Sequence, residues 1–303
     1  MQDPNGLFRL ETDSDPLEAA APVLIVALAG FFDAGSAQGL LVRHLMERYD
    51  HQVVATFDID VLLDYRGRRP VMTYSSDHWS EYDDPMLALY RFVDDAGRPF
   101  LVLAGPEPDF QWERVVEAIS RLALLLRVEV VVSVHGIPMA VPHTRPIGAS
   151  FHATRPERRQ GRRSVIGTVA VPGSVAALLE LRLGEAGRDA CGYAVHVPHY
   201  LAHSDYPPAA LVALECLREQ TGLRLDDEAL RVAAAETMEV VAAELAGSPD
   251  AAELVATLEQ QYDSRTDEPS PAEALLDDQG RVPTADQLGA EFEAFLRTET
   301  DHG

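Results

Sequence analysis

Short apolar runs alternate with amphipathic helical stretches along most of this chain, and that alternation limits the folds open to it. Residues 23–28 form a continuous apolar run of strand length, and residues 36–48 place apolar side chains on one helical face. Three more strand-length runs and a second helical stretch follow, the strands at 52–58, 100–104 and 129–134 and the helix at 109–126. Strand followed by helix, repeated in this way, predicts βαβ units and a parallel sheet.

Two further strands are predicted at 164–171 and 192–197, with a helix at 174–184 between them. The strand-length runs are apolar on both faces, which is typical of parallel strands buried between helices. The predicted fold class is therefore α/β, a mostly parallel sheet with helices on both faces.

The composition shifts twice along the 303 residues and predicts three regions. Residues 1–18 are polar and acidic and are expected to form a flexible arm. Residues 19–262 are expected to form one α/β domain whose last part, 207–262, is helical and rich in alanine. Residues 263–303 are expected to form an acidic linker and a terminal amphipathic helix with a stripe of Leu288, Phe292 and Phe295.

The charge balance restricts the chemistry open to the chain. There are 49 acidic and 25 basic residues, a net charge of −24, and every basic residue is arginine. Without lysine, neither Schiff-base chemistry nor a Walker phosphate loop is possible. The negative charge disfavours nucleic acid and anionic membrane surfaces as partners. No cofactor is expected. The acidic start and the short apolar runs predict neither a secretory leader nor a membrane span, so a cytoplasmic location is expected.

The turn LAGFFDAGS (28–36) joins the first strand to its helix and has the glycine spacing of a phosphate loop. Asp33 would turn a negative charge towards a phosphate, and no lysine follows Gly35, which argues against that function. Two interpretations stay open. Either Gly30 and Gly35 only permit a tight turn, or the turn holds a small ligand at the helix amino terminus.

Four more polar stretches each follow a predicted strand: LDYRGRRP (63–70), LAGPEPDFQW (103–112), VPHTRP (141–146) and VHVPHYLAHSDYP (195–207). In an open parallel sheet such loops share the carboxyl edge, where ligands bind. Six side chains from these loops and the first turn form the predicted ligand-binding crevice: Asp33, Arg66, Glu107, His143, Arg145 and His199. Arginine suits a carboxylate or phosphate, and histidine beside a carboxylate suits proton transfer. The alternative is that the arginines and carboxylates only hold the loops together.

Histidines at 196, 199 and 203 have the spacing of metal ligands on a helix, but Pro198 interrupts that geometry. No metal site is therefore predicted. No catalytic motif of a known hydrolase is present either, so the catalytic residues stay unknown.

Taken in order, LAGFFDAGS, LDYRGRRP, LAGPEPD, VPHTRP, VPHYLAHSDYP and LEQQYD (258–263) resemble actinobacterial members of the proteasome assembly chaperone 2 family. The resemblance covers about residues 21–263. It implies a three-layer α/β fold similar to nucleoside phosphorylases, in a family without an agreed enzymatic activity in bacteria. Eukaryotic relatives are assembly chaperones of proteasome α-rings.

The chain ends Asp301-His302-Gly303, which differs from the hydrophobic-Tyr-any tripeptide to which docking is attributed in the eukaryotic relatives. Two functional hypotheses follow. The first is a non-catalytic protein-binding or assembly-chaperone-like scaffold that forms homo-oligomers and has a possible proteasome-related partner. The second is an enzyme or sensor, hydrolase-like or phosphorylase-like, that binds an anionic or nucleoside-like molecule in the crevice.

Overall fold

The computed structural model describes residues 3–11, 16–30, 33–160 and 168–265. Its strands are Phe8–Leu10 (β1), Val23–Ala29 (β2), His51–Phe57 (β3), Met72–Ser75 (β4), His78–Tyr82 (β5), Ala88–Val93 (β6), Pro99–Pro106 (β7), Val130–Met139 (β8), Ala149–Ala153 (β9) and Asp189–Pro198 (β10). Its α-helices are Ala37–Arg48 (α1), Trp112–Leu125 (α2), Pro156–Arg159 (α3), Val175–Glu185 (α4), Pro207–Thr221 (α5), Glu228–Ala246 (α6) and Pro249–Arg265 (α7).

Eight strands form one sheet in the order β1-β3-β6-β7-β2-β8-β10-β9. The central pairs β7-β2, β2-β8 and β8-β10 are parallel, and the flanking pairs are antiparallel. Strands β3, β7, β2, β8 and β10 therefore all run in one direction. The predicted α/β fold with a mostly parallel sheet is confirmed.

Each face of the sheet packs against its own helical layer. Val23 and Ile25 of β2 belong to a core shared with α1, α5 and the start of α6. Leu24 and Val26, which point the other way, belong to a second core shared with α2 and α4. A strand whose successive residues face two cores must be apolar at every position, which is why β2 reads as a continuous apolar run.

The prediction of a flexible acidic arm is wrong for residues 3–11. Strand β1 pairs antiparallel with β3 at the edge of the sheet, and Leu7 just before it is fully buried. The stretch looked like an arm because its core-facing apolar side chains, buried Leu7 and partly buried Phe8 and Leu10, are too few to show a strand or helix period.

The strand predicted at 164–171 is also wrong where the structure describes it, because residues 168–171 are irregular. The strand of this region is β9, a short edge strand that pairs antiparallel with β10 and has only partly buried residues. The sequence did not reveal β9, β6 or the two-stranded sheet β4-β5, which is almost entirely exposed.

Helix α7 continues to Arg265, so the predicted boundary at residue 263 falls inside a helix. The remaining linker and the predicted terminal helix lie outside the described residues. None of the helices within the described part of the chain combines the length and apolarity that a membrane span needs.

Candidate functional site

The loops that carry the predicted site leave the sheet at one edge. Strands β7, β2, β8 and β10 are neighbours and run in the same direction, so their carboxyl ends lie side by side. Glu107, Asp33, His143 and His199 follow these four strands, and Arg145 lies two residues after His143. The topology therefore brings five of the six predicted residues to the same edge, each held by its own set of contacts.

Asp33 organises the turn between β2 and α1. Its carboxylate accepts hydrogen bonds from the backbone N–H groups of Gln38 (2.8 Å), Gly39 (2.9 Å) and, across on β8, Gly136 (3.3 Å). Burial raises the pKa of Asp33, while the three N–H donors oppose that shift. Gly136 must be glycine here, because a Cβ atom would collide with the backbone of Ala34. Asp33 thus holds the helix start against the neighbouring strand.

Glu107 joins β7 to the start of helix α4. Its side chain is buried, and Oε1 accepts a hydrogen bond of 2.7 Å from the N–H of Val175, the first residue of α4. The carboxylate also occupies the space that a Cβ atom on Gly30 would take. A buried carboxylate at a helix amino terminus is stabilised by the N–H groups and the dipole there.

Arg66 does not join the other predicted residues. Its side chain is 87% exposed and contacts the carboxylate of Asp64 at 3.3 Å. The arginine of this loop that reaches the edge is Arg68, which donates to the carbonyl oxygen of Glu107 and to Oδ1 of Asp109 at 2.6 Å. The sequence predicted the correct loop. It does not show which arginine of that loop reaches the edge of the sheet, because that depends on the tertiary structure.

His143 and His199 meet at Tyr200. The Tyr200 hydroxyl accepts from the backbone N–H of His143 at 2.9 Å and makes a second hydrogen bond, of 2.7 Å, with Nδ1 of the same residue. The ring of His199 packs edge-on against Tyr200 with centroids 5.4 Å apart. Burial lowers the pKa of both histidines and raises that of Tyr200 to about 12. At neutral pH these three groups are uncharged.

Arg145 connects this cluster to helix α7. Its guanidinium makes two parallel hydrogen bonds to Asp263, at 2.8 and 2.7 Å, and a third to Glu259 at 3.1 Å. These carboxylates raise the pKa of Arg145, Asp263 first. Tyr262 of the same helix donates to the carbonyl of Pro146 at 3.1 Å. Two sequence motifs more than a hundred residues apart, VPHTRP and LEQQYD, therefore form one contact that fastens α7 over the edge of the sheet.

Arg145 is bound by two carboxylates, and Asp33 and Glu107 accept hydrogen bonds from backbone N–H groups. The buried Nδ1 of His199 differs from them, because it has no hydrogen-bond partner among the described residues. Within the same described ranges no group of three His, Cys, Asp or Glu side chains is arranged to hold a metal ion.

The fold and this edge define a class: a three-layer α/β protein with a mixed sheet, in which helix α7 packs over the loops at the carboxyl edge. Within that class, the PAC2 family model matches residues 27–246. The chain belongs to the PAC2 family.

Solved structures agree with that assignment. A Mycobacterium tuberculosis protein of unknown function is 43% identical, with a TM-score of 0.82 over 87% of this chain and 93% of its own. A Corynebacterium glutamicum protein of unknown function is 36% identical, with a TM-score of 0.81 over 86% of this chain and 98% of its own.

A third structure, a Mycobacterium tuberculosis proteasome-assembly chaperone homologue, shares the fold at 23% identity, with a TM-score of 0.70 over 77% of this chain and 99% of its own. A comparison with curated proteins gave no match.

Proposed function

We propose that this protein is a cytoplasmic protein-binding scaffold of assembly-chaperone type that works as a homo-oligomer. The observation that carries the proposal is the β4-β5 hairpin, which exposes large apolar side chains to solvent. Membership of the PAC2 family and the name of the mycobacterial chaperone homologue support a role in protein assembly. The hairpin is the proposed binding surface.

Strands β4 and β5 have no buried residue. Tyr74 is 57% and Trp79 is 63% exposed, and their rings pack edge-to-face with centroids 5.1 Å apart. Four more large apolar side chains of the hairpin and its base are exposed: Val71, Met72, Tyr82 and Met86. A lone two-stranded hairpin is marginally stable in water, and exposed aromatic clusters are typical of protein interfaces. We infer that a partner covers this surface.

The first partner is a second copy of this chain. The hairpin is acidic, with Asp77 in its turn, Glu81 on β5 and Asp83 directly after β5, whereas the loop before it exposes Arg66 and Arg69. The hairpin of one copy is therefore complementary in charge to the loop of another. Among the described residues, no strand pairs with the outer edge of either hairpin strand, which favours pairing between copies.

Sedimentation velocity tests the homo-oligomer with the double variant Tyr74→Ser and Trp79→Ser. The wild-type protein is expected to sediment as an oligomer at micromolar concentration, and the double variant as a monomer that circular dichroism shows to be folded. Leu124→Ser and Leu181→Ser provide the control, because they remove similarly exposed apolar side chains from helices α2 and α4. A monomeric wild-type protein, or a double variant that stays oligomeric, contradicts the proposal.

The second partner is a protein that the scaffold helps to assemble, with a proteasome subunit as the first candidate. Affinity capture from the native cell, followed by mass spectrometry, compares the wild-type protein with the hairpin double variant. We expect proteasome subunits with the wild type and their loss with the hairpin variant. Equal recovery with both proteins would place that partner on another surface.

One observation favours a second candidate function, a small-molecule site at the carboxyl edge. The buried Nδ1 of His199 has no partner in the described structure, and a buried polar atom without a partner is costly unless a ligand or water meets it. Thermal shift measurements with a panel of nucleosides and with inorganic phosphate test this function. A stabilising compound should lose its effect in His199→Asn. No shift with any of these compounds contradicts it for these ligand classes.

A further inference from the structure

A polar cluster lies away from the carboxyl edge, on the face of the sheet that packs against α4. The cluster is formed by residues of three strands: Ser133 on β8, Gly192 on β10 and His152 on β9. Gly192 is paired with both of the others in the strand register. Gly192 has no side chain, so nothing separates the other two. The position that a Cβ atom on Gly192 would take is 2.5 Å from Oγ of Ser133 and 2.7 Å from Nε2 of His152. The hydroxyl and the ring nitrogen thus converge on one point above the glycine.

The other nitrogen of the same imidazole is held by a carboxylate. Nδ1 of His152 lies 2.8 and 3.0 Å from the two oxygens of Glu180, which projects from α4. A carboxylate only accepts hydrogen bonds, so Nδ1 carries a proton, and in the neutral ring Nε2 keeps its lone pair. Glu180 is sheltered, with 17% of its side chain exposed, while the His152 side chain is 43% exposed and accessible from solvent.

The carboxylate, the imidazole and the hydroxyl follow one another in the order of the Ser-His-acid triads of hydrolases, and Ser133 and His152 face the same space above Gly192. We propose that Ser133, His152 and Glu180 form an esterase-like site, with Ser133 as the nucleophile, His152 as the general base and Glu180 as the residue that positions His152.

The chemistry of the surroundings indicates the substrate class. Two more histidines share this face, His135 and His196, and burial lowers the pKa of each to about 4, so both are neutral at neutral pH. With a carboxylate in the site and no charged imidazole near it, an anionic substrate is disfavoured. The site therefore fits a small uncharged carboxylic ester.

The proposed reaction is a two-step hydrolysis. Oγ of Ser133 attacks the carbonyl carbon while Nε2 of His152 takes the hydroxyl proton. The bond from the carbonyl carbon to the alcohol oxygen breaks, and the departing alkoxide takes that proton. A water molecule, deprotonated by the same nitrogen, then attacks the acyl-serine. The bond from the acyl carbon to Oγ of Ser133 breaks, Oγ takes the proton from Nε2, and the acid is released. Ester and water give acid and alcohol, and Ser133 is restored.

The test is covalent labelling of the full chain with a fluorophosphonate, with p-nitrophenyl acetate hydrolysis as a second readout. We expect one label per chain, located on Ser133 by peptide mass spectrometry. Ser133→Ala should abolish labelling. Ser150→Ala is the matched control, because Ser150 is on the same face but is hydrogen-bonded to His196 at 2.8 Å, and it should label normally.

Variants of the other groups separate a catalytic arrangement from a structural one. His152→Asn should slow labelling by about 10²- to 10⁴-fold, the range that a positioned general base supplies. Glu180→Ala should slow it and Glu180→Asp should restore part of the rate, with circular dichroism showing a folded chain in each case. Gly192→Ala should block labelling although Ser133 is present, because the new Cβ fills the point of convergence.

No label on Ser133 in the folded wild-type chain would overturn the proposal. So would a rate that His152→Asn leaves unchanged. Either result would mean that the contact between His152 and Glu180 serves only to fasten the edge strand β9 to α4.

Discussion

Glu107 offers a direct test of whether a residue at the carboxyl edge is structural. In Glu107→Ala the buried N–H of Val175 loses its acceptor, since Oε1 is 2.7 Å from it and Val175 is fully buried. A buried N–H without a partner costs about 1–3 kcal/mol. For a domain of this size that free energy corresponds to a fall in melting temperature of roughly 2–12 °C.

Differential scanning calorimetry measures the effect, and two matched variants separate its causes. Glu107→Gln keeps an oxygen that accepts from Val175 and should lose less than half as much. Glu117→Ala removes an exposed glutamate of α2 that pairs with Arg121 and should change stability by less than about 0.5 kcal/mol. If Glu107→Ala melts within about 1 °C of the wild type, Glu107 does not hold α4, and a role in ligand binding becomes the better account.

Three further predictions concern the rest of the molecule. Arg145→Gln removes the contact that fastens α7, so amide hydrogen exchange within Pro249–Arg265 should accelerate; unchanged exchange would contradict this. The folded pKa values of His135 and His196, about 4, lie below their usual value of 6.5, so the unfolded chain takes up protons first. The free energy of unfolding should therefore fall as the pH drops from about 6.5 to 4, by up to about 1.4 kcal/mol per pH unit for each histidine. Urea titrations measure this free energy at each pH. In His196→Asn it should depend less steeply on pH. Leu7→Ala should lower the free energy of unfolding by about 2–5 kcal/mol in chemical denaturation, since Leu7 is fully buried. A loss below about 0.5 kcal/mol would support the prediction that this segment is a flexible arm.

The sequence predicted the central elements of the fold well, because burial between two layers leaves a local pattern. Helices α1, α2 and α4 and strands β2, β3 and β8 begin and end within a few residues of the predicted positions, with β8 continuing further than expected. It failed at β1, β9 and the β4-β5 hairpin, whose residues are mostly exposed or only half buried, and also at β6, which is mostly buried. Strands β1 and β9 depend on partner strands that are distant in the sequence, whereas β4 and β5 pair with each other and bury little surface.

The candidate site was likewise predicted only in part. The order of strands and loops was enough to place Asp33, Glu107, His143, Arg145 and His199 after strands, and parallel strands share an edge. Which arginine of residues 63–70 turns inwards depends on the path of that loop against β7, which no local pattern records. The partners of Arg145 lie on α7, more than a hundred residues away.

By itself, the sequence determined what depends on composition and local period: an acidic chain without lysine, strands apolar on both faces, helices between them and polar loops at one edge. Only the tertiary structure decided which polar groups meet. Ser133 and His152 converge because Gly192 lies between them in the strand register, and Glu180 reaches His152 because α4 packs on that face. These residues follow no motif, since the contacts that join them run across strands and between layers and not along the chain.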